Sequence, residues 1–232
     1  MKYLLTLLLG IVSGAFVAIG LLYFNPLTSE SRISPLSVSD SQQLSLGFSA
    51  VAGDAIIYTN DGESRVPPYP ERVLQLWEAS IRDTDAMVTM LRNGRNETAG
   101  IGVKFSSPSE STRLLNGEVL EHSVWYVYLP GQGTMLIEQT ENHWNFLREI
   151  VVPAHWNSGD SWRGNWNGTI TSGPGALGTG WVHGGSGVFR DLESEAIEML
   201  KATAYSAETG PVAVDGQIIV DLPARNAALN EP

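Results

Sequence analysis

From Gly100 to the C-terminus the chain is a succession of short segments in which side chains alternate with a period of two, each closed by a turn signal. The segments are GIGVKFS, SVWYVYL, TMLIEQT, HWNFLREIVV, SWRGNWNGTI, GTGWVHG, EAIEMLKATAY and VAVDGQIIVDL, separated by LLNGEV, LPGQGT, WNSGD, TSGPGALG and AETGP. In WRGNWNGTI, alternation sets Trp162, Gly164, Trp166, Gly168 and Ile170 on one side. Near the end, Val212, Val214, Gly216, Ile218, Val220 and Leu222 share a face. So many successive strands predict a mainly β fold, an antiparallel barrel or sandwich, and the alternation of large and small residues with glycines favours a barrel of about eight strands.

Upstream the pattern changes. From Tyr3 to Phe24 no charge interrupts the apolar run, about the length a helix needs to span a bilayer. The run predicts an anchor over residues 1–24. Lys2 and the amino terminus on one flank place the remainder outside the cytoplasm, in the periplasm if the source is bacterial. A cleaved signal peptide, with a small-residue site near Ala18-Ile19-Gly20 and a secreted product, is the alternative. Gly10 and Gly14, extended by Ala18, have the spacing of a close helix-helix contact. Residues 25–43, rich in Ser, read as a flexible tether, 44–223 as the barrel domain and 224–232 as a tail. Within the domain, Pro70 and the helical spacing of Leu74, Trp77, Ile81, Val88 and Leu91 predict an amphipathic helix over about 70–93, stopped by Asn93-Gly94.

Composition narrows the function. A formal net charge of -11 and a pI near 4.7 would repel a phosphate backbone, so nucleic acid is no partner. The chain has no cysteine, which removes disulfides, thiolate catalysis and cysteine metal sites. His122, His155 and His183 are scattered without ligand spacing, so neither metal nor cofactor is expected. Ser186 lacks the final glycine of a hydrolase elbow, whose place is taken by Val188.

The stretch VHGGSGVFRDLESEA carries Val182, Gly184, Gly185, Ser186, Gly187 and Phe189. It resembles the signature of the allene oxide cyclase and dirigent families, which share an eight-stranded antiparallel barrel. Arg190, Ala196, Thr209-Gly210 and the strand from Val212 to Leu222 continue the likeness, while Ser194 stands where those families usually have glycine. The resemblance implies the barrel fold and a glycine corner with Phe189 plugging the core. It carries over no pocket residue.

The candidate ligand-binding residues are Tyr126, Tyr128, Glu138, His143, Arg148 and Trp166. If TMLIEQT and HWNFLREIVV form a hairpin, Glu138 approaches His143 or Arg148 in an aromatic-lined interior, a polar anchor or an acid-base pair. A rim ion pair and simple core filling are the plainer alternatives. The chain is thus expected to be a membrane-anchored barrel that binds a small apolar ligand. A non-catalytic interaction or assembly module, homo-oligomeric or partner-docking, and a cyclase or isomerase are the other readings; enzymatic activity is left open, with the weight on binding.

Overall fold

The protein is described by a computed structural model covering residues 2–23, 42–51, 84–175 and 178–222. In chain order the elements are α1 (Lys2–Tyr23), β1 (Gln42–Ser49), β2 (Asp85–Arg92), β3 (Thr98–Pro108), β4 (Leu120–Leu129), β5 (Gly133–Asn142), α2 (Trp144–Phe146), a π-helical turn (Leu147–Val151), α3 (Val152–Trp156), β6 (Ser161–Thr169), β7 (Thr171–Ser172), β8 (Gly180–Gly187), β9 (Glu193–Ser206) and β10 (Gly210–Leu222). All strand pairings are antiparallel and join into a ring, β1-β2-β3-β4-β5-β8-β9-β10, that returns to β1. Alternation does what the sequence requires of it. Leu46 and Phe48 on β1, Trp125 and Val127 on β4, Met135 and Ile137 on β5, and Val214, Ile218 and Val220 on β10 all turn inward and are buried.

One position in the ring is shared. On β9, residues Glu193 to Ala196 pair with β8, and Met199 to Ser206 pair with β6. On the other flank β5 pairs with β8 as far as Glu138, then with β7 at Thr140 and Glu141. The ladder is therefore interrupted beside Gln139 and Glu198, where β6, β7 and β8 meet. At the break the Thr171 hydroxyl accepts the Glu198 backbone N–H at 2.6 Å, and the Ile170 N–H donates to the Glu198 carbonyl at 2.9 Å. Side chains and irregular backbone replace the missing rungs.

Two predicted elements are corrected. Residues 85–92, read as the end of a helix, form strand β2, with Thr89 and Leu91 buried, Met87 half-buried on the same face, and the full strand paired to β3. Helical spacing of Val88 and Leu91 was a coincidence; the cross-strand ladder decides, as it does for many short apolar runs. Residues 70–83 lie outside the described residues. Conversely, HWNFLREIVV is helical, not a strand. Asn142 starts it: its side-chain carbonyl accepts the Trp144 N–H at 3.0 Å and the Val119 N–H at 3.1 Å, so the chain leaves the sheet there. Ile150 and Ala154 are its buried face.

The apolar N-terminal run forms α1, and its side chains stand exposed at successive positions, Leu7, Leu8, Leu9, Ile11 and Val12 among them. Among the described residues no helix is long and apolar enough to cross a membrane. The expected transmembrane anchor therefore has no support from the described helix.

The glycine stretch lies at the end of β8 and turns a corner there. Gly187 has φ of 64°, in the left-handed region. The turn folds back so that Gly184 N–H donates to the Leu192 carbonyl at 2.8 Å and the Phe189 carbonyl sits where a Gly184 Cβ would project. Phe189 is buried in the core. The Ser186 hydroxyl bonds that of Thr134 across the β5 ladder at 2.9 Å. Gly184→Ala is expected to destabilise the fold by ~1–3 kcal/mol or more, because backbone has to move. Gly94→Ala, with open space around it, should stay within ~0.5 kcal/mol. Urea unfolding of the two variants checks the contrast.

Candidate functional site

The polar centre of the ring is built by inward positions on β3, β4, β5 and β9. Alternation that buries Gly100 and Gly102 on β3 brings Lys104 inward next. From β5 come Gln139 and Glu141, from β9 Glu198, from β4 Ser123 beside Trp125. Lys104 Nζ lies 2.7 Å from Glu141 Oε1 and 2.8 Å from Glu198 Oε1. Both carboxylates have side chains only 1% exposed, and Lys104 11%, so these charges are desolvated and must be satisfied internally.

They are. Trp125 Nε1 donates to Glu198 Oε2 at 2.8 Å, Gln139 Nε2 donates to Glu141 Oε1 at 2.9 Å and also to Glu198, and Ser123 Oγ donates to Glu141. Thr171 Oγ1 fixes the amide by donating to Gln139 Oε1 at 2.8 Å. The ammonium also lies 5.4 Å from the centre of the Trp125 ring. The remaining Glu141 oxygen faces His143, with Nε2 at 3.0 Å, and His143 in turn lies 3.6 Å from Glu121 Oε2. Side-chain exposure rises from 1% at Glu141 to 23% at His143 and 37% at Glu121. The network thus runs from the interior to solvent.

Electrostatics separates the two buried carboxyls. Burial pushes Glu141 up, but the His143 hydrogen bond and the Lys104 charge outweigh it and hold the carboxyl at about 2. Glu198 moves the opposite way: burial raises it, Lys104 opposes, and the adjacent Glu141 charge raises it further, for a net rise. Burial lowers Lys104, yet Glu198 and Glu141 reverse this and its affinity for the proton is raised. His143 is likewise lowered by burial and raised more strongly by Glu141 and Glu121. One cation between two carboxyls leaves Glu141 ionised and Glu198 the group that holds a proton more readily. An acid and a carboxylate with divergent proton affinities, joined by a lysine, can donate and accept protons within one interior.

Of the residues expected from sequence, the structure brings one into this centre. His143 is there, but its partner is Glu141 and not Glu138, which points outward. Tyr126 and Tyr128 also face outward, 46% and 45% exposed, and line no interior. Arg148 and Trp166 meet on the helical side: Glu149 accepts from Arg148 Nη2 at 2.6 Å and from Trp166 Nε1 at 2.8 Å, and Phe146 stands edge-on to Trp166 at 5.4 Å. Lys104, Glu141 and Glu198 are not among the residues expected from the sequence. The available signal was a charge on the apolar face of an alternating strand: Lys104 after Gly100 and Gly102, and Glu198 between Ala196 and Leu200.

Glu121, Glu141 and His143 each offer a donor atom within 4.8 Å of the others. These are the residues that could hold a cation, which would have to displace the proton shared by Glu141 and His143; as it stands the geometry is that of an ion pair.

Two outcomes follow from this charge arrangement. Lys104→Met leaves two buried carboxyls without their counter-charge and should cost ~3–5 kcal/mol in urea unfolding. The folded pKa of His143 lies above its ordinary 6.5, so its stabilisation is complete below that value and disappears as pH rises through the raised one. His143→Gln should therefore lower Tm by about 2–4 °C at mildly acidic pH and much less in alkali.

No protein-family model matches the chain, and no curated protein does. Among solved structures it is similar to one described as a nonspecific heme-binding cyclase that catalyzes 4 + 2 cycloaddition during neoabyssomicin biosynthesis. The TM-score is 0.34 at 9% identity, over 84% of this chain and 74% of that one. So loose an overlap bears on neither the function nor the site.

Proposed function

We propose that the protein is a β-barrel that receives a small, largely apolar molecule and anchors its polar end at the Lys104–Glu141–Glu198 centre. The observation that carries this reading is the buried ion network that opens to solvent through His143 and Glu121. A purely structural core has little use for it, since apolar residues of similar volume stabilise an interior as well or better. Specific polar groups in an apolar interior are how binding sites orient a ligand. The N-terminal helix, although not long and apolar enough to cross a membrane, exposes leucines and isoleucines that would suit a lipid surface, where apolar molecules concentrate.

A second reading uses the same centre for chemistry. Glu198 with a raised proton affinity beside an ionised Glu141 has the form of an acid and a base, which suits an isomerase or cyclase of the allene oxide cyclase type that holds one conformer while moving a proton.

Native mass spectrometry of the full-length protein, extracted gently from its own membrane, tests the binding reading. A small molecule that leaves on denaturation is expected, with occupancy reduced at least about tenfold in Glu198→Gln at unchanged circular dichroism, on the scale of a lost hydrogen bond to a charged group. A bare polypeptide mass, or equal occupancy in the variant, would overturn it. Conversion of the released molecule by fresh protein, lost in Glu198→Gln, would establish the catalytic form.

A further inference from the structure

At the solvent end of the polar centre lies an arrangement that the Lys104 network does not require. Glu121 on β4 and Glu141 on β5 stand directly opposite each other in the ladder, on the same inward face. Like charges so placed destabilise a strand pair unless something lies between them. His143, the first residue past β5, brings Nε2 to 3.0 Å from Glu141 Oε2 and 3.6 Å from Glu121 Oε2. All three donor atoms lie within 4.8 Å of one another. Linear spacing hides this set, because Glu121 reaches it only through strand register.

The geometry points to a divalent transition-metal site at Glu121, Glu141 and His143. Bonds of ~2.1 Å to nitrogen and oxygen, at tetrahedral or octahedral angles, put neighbouring donors ~3.0–3.4 Å apart. Glu141 and His143 already stand at that separation, and Glu121, whose side chain is 37% exposed, closes the remaining gap. Glu141 is also set as a ligand by residues outside the cluster. Lys104, Ser123 and Gln139 all hold its Oε1, which leaves Oε2 turned to His143, and outer partners of this kind orient metal-binding carboxylates. Charge favours a dication over the proton that it would displace. With all three carboxyls ionised, Lys104 faces Glu121, Glu141 and Glu198; a protonated His143 leaves the group one positive charge short, whereas a neutral His143 with a doubly charged ion balances it. One imidazole nitrogen and two carboxylate oxygens suit a borderline ion such as Zn²⁺, while Ca²⁺ takes ~6–8 oxygens. The remaining position opens to solvent beside Glu121 and His143, as in sites that pair three protein ligands with one exchangeable water. This assignment does not rest on the apolar-ligand reading.

Isothermal titration calorimetry of the full-length protein in detergent, stripped with EDTA and titrated with Zn²⁺ alone, tests it. One ion per chain is expected. Glu121→Gln should weaken binding at least about tenfold at unchanged circular dichroism. His122→Gln, which removes the neighbouring imidazole from the exposed face of β4, should not. Co²⁺ in place of Zn²⁺ should give a visible absorption band that His143→Gln abolishes. No binding of Zn²⁺, equal affinity in Glu121→Gln, an equal loss in His122→Gln, a Co²⁺ band that survives His143→Gln, or displacement of Zn²⁺ by Ca²⁺ at comparable concentration would overturn the inference. Glu121 and His122 lie outside the Lys104–Glu141–Glu198 centre, so the outcome is read separately from ligand occupancy in Glu198→Gln.

Discussion

The ammonium of Lys104 ties β3 to β5 and β9 through Glu141 and Glu198, and the arrangement of the ring interior follows from it. The three groups come from strands remote in sequence, so their pairing exists only once the ring has closed. A buried lysine without both carboxyls, or either carboxyl without the lysine, would be an uncompensated charge in a low-dielectric core. Gln139, Ser123, Thr171 and the Trp125 indole satisfy the remaining donors and acceptors. The break in the ladder at β6, β7 and β8 is what makes room for this, since an uninterrupted strand would leave no place for the Thr171 hydroxyl to bond the backbone of Glu198.

Interior and exterior of the same strands then serve different ends. On β3, Lys104 points in while Val103 and Phe105 point out; on β4, Ser123 and Trp125 point in while Tyr126 and Tyr128 point out. Period-two geometry lets a single short segment supply both a polar centre and an apolar outer face, with no residue shared between them. The proposed ligand site and the outer face can therefore be perturbed separately.

Much of the fold was legible in the sequence because strand alternation is a local signal. The segments around Trp125, Ile137, Leu200 and Ile218 announced themselves, and so did the glycine corner, where Gly184 and Gly187 meet backbone at a distance that admits no side chain. Three features were not legible. The sequence 85–92 has apolar residues at both helical and alternating spacing, and only pairing with β3 decides between them. The helical stretch after Asn142 alternates well enough to pass for a strand; a single side-chain carbonyl, accepting two backbone N–H groups, takes it out of the sheet. Finally, the charged centre depends on which faces point inward. Tyr126 and Tyr128 stand on the outer face of β4, whereas the inner face carries Ser123 and, through the register, Gln139 and Glu141.

At the centre of the molecule one lysine holds two buried carboxyls whose proton affinities are shifted in opposite directions, Glu141 down and Glu198 up. Infrared spectroscopy of the intact protein, titrated through the acid range, reads this directly. The expected result is a carboxyl that takes up its proton above the ordinary glutamate value of 4.5 and is absent from Glu198→Gln, while Glu141 stays ionised down to about 2. Glutamate bands that all titrate together near the ordinary value, with none removed by Glu198→Gln, would contradict it.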